Sequence, residues 1–285
     1  MLSRTFRSLL VLVVAVAGIS VVHQLLDRGR SGTAALPAGY LGRSVAVSKQ
    51  WKLAFQDDFL ELAAPGDFLK SYPRWAAYTD NFITTAGQQP GLNRGDHYAT
   101  DNLSVQDAGP ARVLNCRLLP KSLTSDERNW GAAPSPRFDV GFGVHRAKSM
   151  KVEMRVRILR PAPGWHIANL VWFDDKPWPT GGEIDFWEQP AMASIGAFFH
   201  YDLGTTGNDK VQFSTDVSPT DWHIIGFEFV SGRSYRQFLD GVQVGQTITE
   251  RVPSTPGRIV LQNEPAGDPT QSIDIQYDWI TVWTS

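Results

Sequence analysis

The sequence predicts an all-β fold, a β-sandwich or a β-barrel, on the basis of three observations. Short segments that alternate apolar and polar residues follow one another along the chain. No long helical period appears after the N-terminal segment, and Gly, Pro and Asp turns separate the alternating segments. With 285 residues, 42% of them hydrophobic, the chain is long enough to bury a large core in one all-β domain.

Three segments show the strand pattern most clearly. Residues 151–158 alternate strictly, with apolar side chains on one face and mostly charged side chains on the other. Residues 236–244 are typical of a hairpin, because Asp240-Gly241 supplies a two-residue turn between two alternating arms. Residues 273–283 form a last alternating strand, and no second domain is indicated.

Residues 1–26 are predicted to be a signal peptide or an N-terminal membrane anchor. Arg4 and Arg7 precede an apolar stretch over residues 9–22, which matches the charged and hydrophobic regions of a secretory signal. A membrane-spanning helix needs roughly 20 apolar residues, so continuing the stretch to Leu26 would allow an uncleaved anchor. Either alternative places the rest of the chain outside the cytoplasm, secreted or anchored at the cell envelope.

The remainder of the chain divides into a linker and one domain. Residues 27–49 are rich in Gly, Ala, Ser and Arg and are predicted to be a linker, and residues 50–285 are predicted to be the folded domain. The net charge of −2 gives no basic excess that would favour binding to nucleic acid. The one cysteine, Cys116, excludes an intrachain disulfide and is expected to be a buried apolar side chain. We expect the domain to act as a monomer.

One segment, with the sequence EIDFWE from Glu183 to Glu188, carries the strongest chemical pattern. In a strand Glu183 and Asp185 point to the same face, whereas Glu188, five positions after Glu183, would point to the other. A one-residue bulge at Phe186 or Trp187 would bring Glu188 onto the face of the other two carboxylates. Three acids would then line one side of one strand.

Carboxylates packed in this way suit acid/base chemistry. Like charges in one place separate the proton affinities, so that one group is protonated and another ionised near neutral pH. Retaining glycosidases use two carboxyl groups roughly 5–5.5 Å apart, one as the nucleophile and one as the acid/base. The residues alone leave two alternatives open, a solvent-facing acidic strand and a calcium-binding carboxylate cluster. No His/Cys spacing in the sequence indicates zinc.

The segment and its surroundings resemble glycoside hydrolase family 16, the laminarinase-like endoglucanases. The bulged motif of that family, Glu-x-Asp-x-x-Glu, often follows Trp-Pro and a glycine, and here Trp178-Pro179-Thr180-Gly181-Gly182 precedes Glu183. Further segments match the family in its order along residues 51–285, and these are Phe142-Gly143-Val144 and residues 151–158, 164–172, 199–201, 221–228, 238–241 and 277–283.

This resemblance implies a fold and an activity. The fold is a jelly-roll sandwich of two antiparallel sheets, with a substrate cleft across a concave face. The activity is that of a retaining endo-β-glycosidase acting on a glucan or galactan, with Glu183 as the nucleophile, Asp185 as its helper and Glu188 as the general acid/base. Two alternatives on the same scaffold are a transglycosylase that remodels cell-envelope polysaccharide and a non-catalytic carbohydrate-binding protein.

Side chains near the motif are candidates for contact with the polysaccharide, because aromatic rings stack on sugar faces and polar groups fix hydroxyls. The candidates are Trp165, Asn169, Trp172, Trp178, Trp187, His200 and Gln262. We expect that the reaction requires no metal or other cofactor. The resemblance also implies a structural calcium in some members, for which the candidate ligands are Asp57, Asp58 and Asp278.

Two segments depart from the family pattern. Residues 166–169, with the sequence HIAN, replace a Pro-Ala-Phe type run, and residues 260–265 lead into an acidic loop instead of a loop with glycine and tryptophan. Both segments lie where the family shapes its sugar subsites. The sequence therefore does not predict which polysaccharide the chain binds.

Overall fold

The computed structural model describes residues 51–79, 82–88, 95–140 and 146–285. The predicted N-terminal signal or anchor, the linker and the Phe142-Gly143-Val144 match lie outside the described residues. The predicted all-β fold is confirmed, because two antiparallel sheets pack as a jelly-roll sandwich. No helix within the described ranges is both long and apolar enough to cross a lipid bilayer.

Strands make up most of the described part of the chain. In chain order they are β1 (Lys52–Asp57), β2 (Trp75–Ala77), β3 (His97–Tyr98), β4 (Leu103–Ala108), β5 (Ala111–Leu118), β6 (Trp130–Gly131), β7 (Pro134–Pro136), β8 (Arg146–Ala147), β9 (Met150–Leu159), β10 (Trp165–Trp172), β11 (Glu183–Pro190), β12 (Gly196–His200), β13 (Lys210–Ser214), β14 (His223–Val230), β15 (Ser234–Leu239), β16 (Val242–Ile248), β17 (Gly257–Pro265) and β18 (Ile273–Thr284). The α-helices are short, α1 (Phe68–Ser71) and α2 (Thr85–Gln88), and two 3₁₀ turns span Thr100–Asn102 and Lys121–Leu123.

The larger sheet is built around β18. Its strand order is β16-β15-β14-β9-β18-β5-β4, and β1 joins it by pairing with the second half of β18. The smaller sheet has the order β13-β12-β11-β10-β17-β8. Two short pairs, β2 with β7 and β3 with β6, come from the segments that connect the sheets.

The core lies between the two sheets and confirms the predicted alternation. In β9, Met150, Val152 and Met154 are fully buried in the core, and Arg155 on the opposite face is partly exposed. Cys116 is buried and free, as expected, and burial raises the pKa of its thiol.

The predicted hairpin joins β15 to β16. Asp240 and Gly241 have φ angles of 50° and 80°, the positive values that a two-residue type I′ turn requires. The sequence signal for this hairpin is local, and the turn residues alone were sufficient to locate it.

The smaller sheet has an inner face against the core and an outer face turned away from it. Residues paired across antiparallel strands point to the same face, so the pairing registers define rows of side chains. One row on the outer face runs Arg258, Trp172, Glu183, His200 and Lys210. The predicted chemistry therefore lies on the outer face of this sheet.

Candidate active site

A β-bulge in β11 aligns the three predicted carboxylates on the outer face. Between Asp185 and Glu188 this strand advances three residues while its partner β10 advances two. The extra residue is the predicted bulge, and both side chains within it, Phe186 and Trp187, are fully buried in the core. Two consecutive inward side chains thus restore the outward direction of Glu188.

A glycine sets the start of this strand. Gly182 has a φ of 70°, and a β-carbon at that position would lie 2.8 Å from the carbonyl oxygen of His200. The backbone can therefore pass close to β12, where Glu183 pairs directly with His200. Trp178, which precedes this glycine, is 46% exposed, and its ring centroid lies 6.2 Å from that of His200.

We call Glu183, Asp185, Glu188 and His200 the acidic cluster. One carboxylate oxygen each of Glu183 and Asp185 and one ring nitrogen of His200 all lie within 4.8 Å of one another. His200 Nε2 is 3.3 Å from Asp185 Oδ2. Three of these side chains are buried, those of Glu183, Asp185 and His200. The Glu188 side chain is 20% exposed. Glu188 is therefore the carboxylate that a molecule arriving from solvent reaches first.

Burial raises the pKa of all three carboxyl groups in the acidic cluster. The charge of Asp185 raises the pKa of Glu183 further, and the charge of Glu188 does the same to Asp185. For Glu188 the charges of Lys210 and His200 oppose the effect of burial. Burial and mutual repulsion thus disfavour simultaneous ionisation of the three carboxyl groups, which is the condition that acid/base chemistry uses.

Aromatic side chains cover the outer face on one side of the acidic cluster. Tyr78 and Tyr98 pack against Leu170 and Val260, and Phe82 stacks on Tyr78 with 4.3 Å between the ring centroids. Phe82 itself is 47% exposed. We call the rings of Tyr78, Phe82 and Tyr98 the wall. They lie over β10 and β17, beside the outward-facing acidic cluster.

A fourth carboxylate, Glu264 on β17, ties this wall to the sheet. Its Oε2 accepts hydrogen bonds from the Tyr98 hydroxyl at 2.5 Å and from the backbone N–H of Thr85 at 2.9 Å. Burial raises the pKa of Glu264, while both hydrogen bonds lower it. The side chain of Glu264 is committed to these contacts and holds the wall in place.

Four of the predicted sugar-contacting side chains lie on or beside the outer face. Trp172 and His200 are the direct cross-strand neighbours of Glu183, and Gln262 lies in the row that contains Glu188. Trp178 packs beside His200. Their placement is compatible with contact to a polymer in the groove, and the contact itself stays a prediction.

The predicted sugar contacts of Trp165, Trp187 and Asn169 are wrong, because all three side chains point into the core. Trp165 is 1% exposed and donates its indole N–H to the carbonyl oxygen of Gln271 at 2.7 Å. Trp187 is fully buried, and Asn169 is fully buried with its amide bonded to the Tyr277 hydroxyl at 3.0 Å. Alternation along β10 turns Trp165 and Asn169 away from solvent, and the bulge in β11 turns Trp187 inward.

Two outer-face residues near Glu188 were not predicted from the sequence. His166 Nε2 lies 3.4 Å from Glu188 Oε1, and Lys210 pairs across the strand with His200 and influences the pKa of Asp185 and Glu188. His166 could have been found from the alternation, because it shares the phase of Trp172 on β10. Lys210 carries no local signal of its position.

Two of the candidate calcium ligands, Asp57 and Asp278, are bonded to donors within the protein. Asp57 accepts hydrogen bonds from the backbone N–H of Phe59 at 2.9 Å and the indole N–H of Trp75 at 2.8 Å. Asp278 lies 2.6 Å from the guanidinium of Arg155. The structural calcium stays a prediction.

Comparison with solved structures identifies the fold. A non-specific endo-β-1,3(4)-glucanase from family GH16 matches with a TM-score of 0.64 and 17% identity, over 83% of this chain and 92% of that one. The catalytic domain of an endo-1,3-β-glucanase (laminarinase) from Thermotoga petrophila matches with a TM-score of 0.61 and 19% identity, over 84% of this chain and 99% of that one. An endo-acting O-glycanase that initiates mucin breakdown, from the human gut microbiota, matches with a TM-score of 0.58 and 17% identity, over 81% and 98%.

No family model and no curated protein matches the sequence. The likeness therefore rests on three-dimensional structure, and at this level of identity it establishes the fold. The described part of this chain has the jelly-roll fold of the family 16 endo-β-glucanases.

Proposed function

We propose that the chain is a retaining endo-β-glycosidase of glycoside hydrolase family 16, with Glu183 as the nucleophile and Glu188 as the general acid/base. The observation that carries the proposal is the bulge in β11, which aligns the buried carboxylates of Glu183 and Asp185 with the partly exposed carboxylate of Glu188 on one face. The shared fold supports it, since a variant of the matched glucanase holds 1,3-β-D-cellobiosyl-glucose at its active site.

In the first half of the reaction Glu188 donates its proton to the glycosidic oxygen while a carboxylate oxygen of Glu183 attacks the anomeric carbon. The bond between that carbon and the leaving sugar breaks, and a covalent glycosyl-enzyme remains. Glu188 suits the acid role because it is the carboxylate of the cluster most exposed to solvent. Glu183 suits the nucleophile role because it is buried beside its neighbour His200.

In the second half Glu188, now ionised, removes a proton from water. The hydroxide attacks the anomeric carbon, the bond to Glu183 breaks, and the configuration of the original linkage is restored. Asp185 lies between the two glutamates on the same face and 3.3 Å from His200 Nε2. As the helper of the nucleophile, Asp185 orients Glu183 and shares a proton with the two neighbouring carboxyl groups.

Electrostatics favour catalysis over simple sugar binding. A binding groove needs hydrogen-bonding groups and aromatic surface, whereas three buried carboxylates repel one another and are costly to dehydrate. Such a cost is typical of catalytic sites, where shifted proton affinities are used in the reaction. We further propose that the substrate lies outside the cytoplasm, because residues 1–26 have the sequence pattern of a signal peptide or membrane anchor.

The first experiment is an activity screen of the full-length chain on β-1,3-glucan, mixed-linkage glucan, galactans and mucin O-glycans, reading product length. Glu183→Gln and Glu188→Gln should each lower turnover roughly 10⁴-fold or more, as loss of a nucleophile or acid/base does elsewhere. Asp107→Asn, at a carboxylate that is 69% exposed, is the matched control and should keep full activity. Full activity in either glutamine variant would overturn the mechanism.

Azide rescue assigns the two roles independently, with an activated aryl glycoside as the substrate. In Glu183→Ala the small anion would replace the nucleophile and give a glycosyl azide of inverted configuration. In Glu188→Ala it would replace the water and give a glycosyl azide of retained configuration. The reverse pattern would exchange the roles of Glu183 and Glu188, and products longer than the substrate would indicate a transglycosylase.

A chelator tests the expectation that no metal takes part. Activity measured in excess EDTA should equal activity in added calcium, because the proposed steps use only carboxyl groups and water. A loss of activity that calcium restores would contradict this part of the proposal.

A further inference from the structure

His166 is placed to act on the acid/base residue and takes no part in either half of the proposed reaction. It stands on β10, and its Nε2 lies 3.4 Å from Glu188 Oε1. The two side chains are 24% and 20% exposed, so both face the open groove. A normal N–H···O hydrogen bond is roughly 2.9 Å long, and catalytic contacts of this kind often tighten when substrate binds.

Several charged groups surround Glu188, and His166 differs from all of them. From its own strand come Glu183 and Asp185, from β12 His200, from β13 Lys210 and from β17 Glu264. The charge of Glu264 disfavours ionisation of Glu188, whereas the charges of Lys210 and His200 and a hydrogen bond from Asp185 favour it. Among the Lys, Arg and His side chains of the described residues, only that of His166 has a nitrogen within 4.0 Å of a Glu188 oxygen.

His166 is neutral at the pH where the reaction would run. Burial, followed by the charge of Lys210, lowers the pKa of His166 to about 4. A neutral imidazole with its proton on Nε2 donates to a carboxylate, and such a bond to an ionised oxygen is stronger than one to a neutral group. The other oxygen of Glu188, Oε2, is buried without a hydrogen-bond partner among the described residues, so Oε1 is where an ionised Glu188 finds support.

We propose that His166 is a positioning residue that holds Glu188 Oε1 and favours the ionised form of Glu188 that activates water in the second half of the reaction. This inference rests on the proposed function. It predicts that loss of His166 slows release of the covalent intermediate, because ionised Glu188 then loses a hydrogen-bond donor in a partly buried cluster.

The test compares the full-length wild type with His166→Met, which removes the donor, and His166→Gln, which keeps an N–H near the position of Nε2. On an activated aryl glycoside, for which release of the intermediate limits turnover, His166→Met should lower kcat and KM together, roughly tenfold, with kcat/KM little changed. The alkaline limb of kcat/KM on a natural polymer should move up by roughly half to one pH unit, since Glu188 holds its proton more tightly. His166→Gln should restore most of both effects.

Several results would overturn the inference. An alkaline limb that stays in place in His166→Met, or that moves down, would mean that His166 does not favour the ionised form of Glu188. A rise in KM alone would make His166 a sugar contact. Should His166→Met unfold, His166→Leu supplies the same comparison, and thermal unfolding of each variant identifies a merely structural effect.

The failure of this inference differs from failure of the proposed function. If the wild type is inactive, or keeps its activity in Glu183→Gln, the proposed function falls. If the wild type is active and depends on both glutamates while the His166 variants keep its pH profile, only the role of His166 falls.

Discussion

Two clusters of polar side chains lie on opposite faces of the smaller sheet. One cluster is neutral and the other is ionisable. On the inner face the Tyr277 hydroxyl meets the amides of Asn169 and Asn263, at 3.0 and 3.1 Å, and all three side chains are fully buried. On the outer face the acidic cluster holds ionisable groups, and Glu188 Oε2 and His200 Nδ1 have no hydrogen-bond partner among the described residues.

The difference separates stabilising polar groups from reactive ones. The inner network is neutral and its members satisfy one another, so it costs little to bury and fixes how the sheets meet. The outer cluster is charged and incompletely paired, so burying it costs free energy that folding alone does not require. Burial of polar side chains does not by itself mark a site, whereas burial of unpartnered ionisable groups does.

The largest expected effect contrasts the tryptophans of the two faces. Trp187→Ala should destabilise the fold by about 3–5 kcal/mol, because it empties a large volume in a packed core. Trp178→Ala should leave the unfolding free energy nearly unchanged, since the residue is 46% exposed, and should raise KM roughly five- to tenfold through lost stacking on sugar. Denaturant unfolding and steady-state kinetics on both variants measure the contrast.

Equal destabilisation by the two variants would contradict the assignment of faces. A Trp178→Ala variant with unchanged KM would remove Trp178 from the sugar-contacting residues. Gly207 gives a further check, because a β-carbon there would lie 2.6 Å from the Trp178 ring, and Gly207→Ala should displace the ring and change KM in the same direction.

Much of the site could be predicted from one strand. The spacing of Glu183, Asp185 and Glu188 requires a bulge if they are to share a face, and the bulge is where the sequence indicated it. The same period-two rule, applied to β10, excludes a shared face for Trp165 and Trp172, which are seven residues apart in an unbulged strand. The wrong predictions on β10 therefore came from proximity in the sequence, and the alternation already contained the correction, whereas Trp187 turns inward only because of the bulge.

Other parts of the site could not be predicted because they depend on long-range contacts. The bond from the Tyr98 hydroxyl to Glu264 joins residues 166 positions apart, and the place of Lys210 beside His200 depends on how β13 pairs with β12. Neither the register of such a pair nor the path of the connecting segment is encoded in a local pattern.

A smaller effect is expected from the inner network. Tyr277→Phe removes one hydroxyl and leaves the amide of Asn169 without its partner, which should cost about 1–3 kcal/mol of unfolding free energy. Activity per folded molecule should stay at the wild-type level, because the hydroxyl lies on the face away from the carboxylates. A loss of activity at full stability would show that the two faces are coupled.

The smallest effect, and the sharpest contrast between the faces, is the pH dependence of stability in Glu183→Gln. Burial and the charge of Asp185 raise the pKa of Glu183 well above the ordinary glutamate value of 4.5. The folded state thus binds the Glu183 proton more tightly than the unfolded state does. The stability linked to that proton is fully present below pH 4.5 and is lost as the pH rises toward the folded-state pKa.

Glutamine does not titrate, so the stability of Glu183→Gln relative to the wild type should grow as the pH rises above about 4.5. Denaturant unfolding of both proteins between about pH 4 and pH 8 measures this difference. Tyr277→Phe is the matched control, because the pKa of Tyr277 is raised well above the ordinary tyrosine value and its difference from the wild type should be flat over this range. A flat difference for Glu183→Gln as well would mean that Glu183 ionises in the folded protein as easily as in water. The outer cluster would then be as well accommodated as the inner network, and the energetic argument for catalysis would lose its basis.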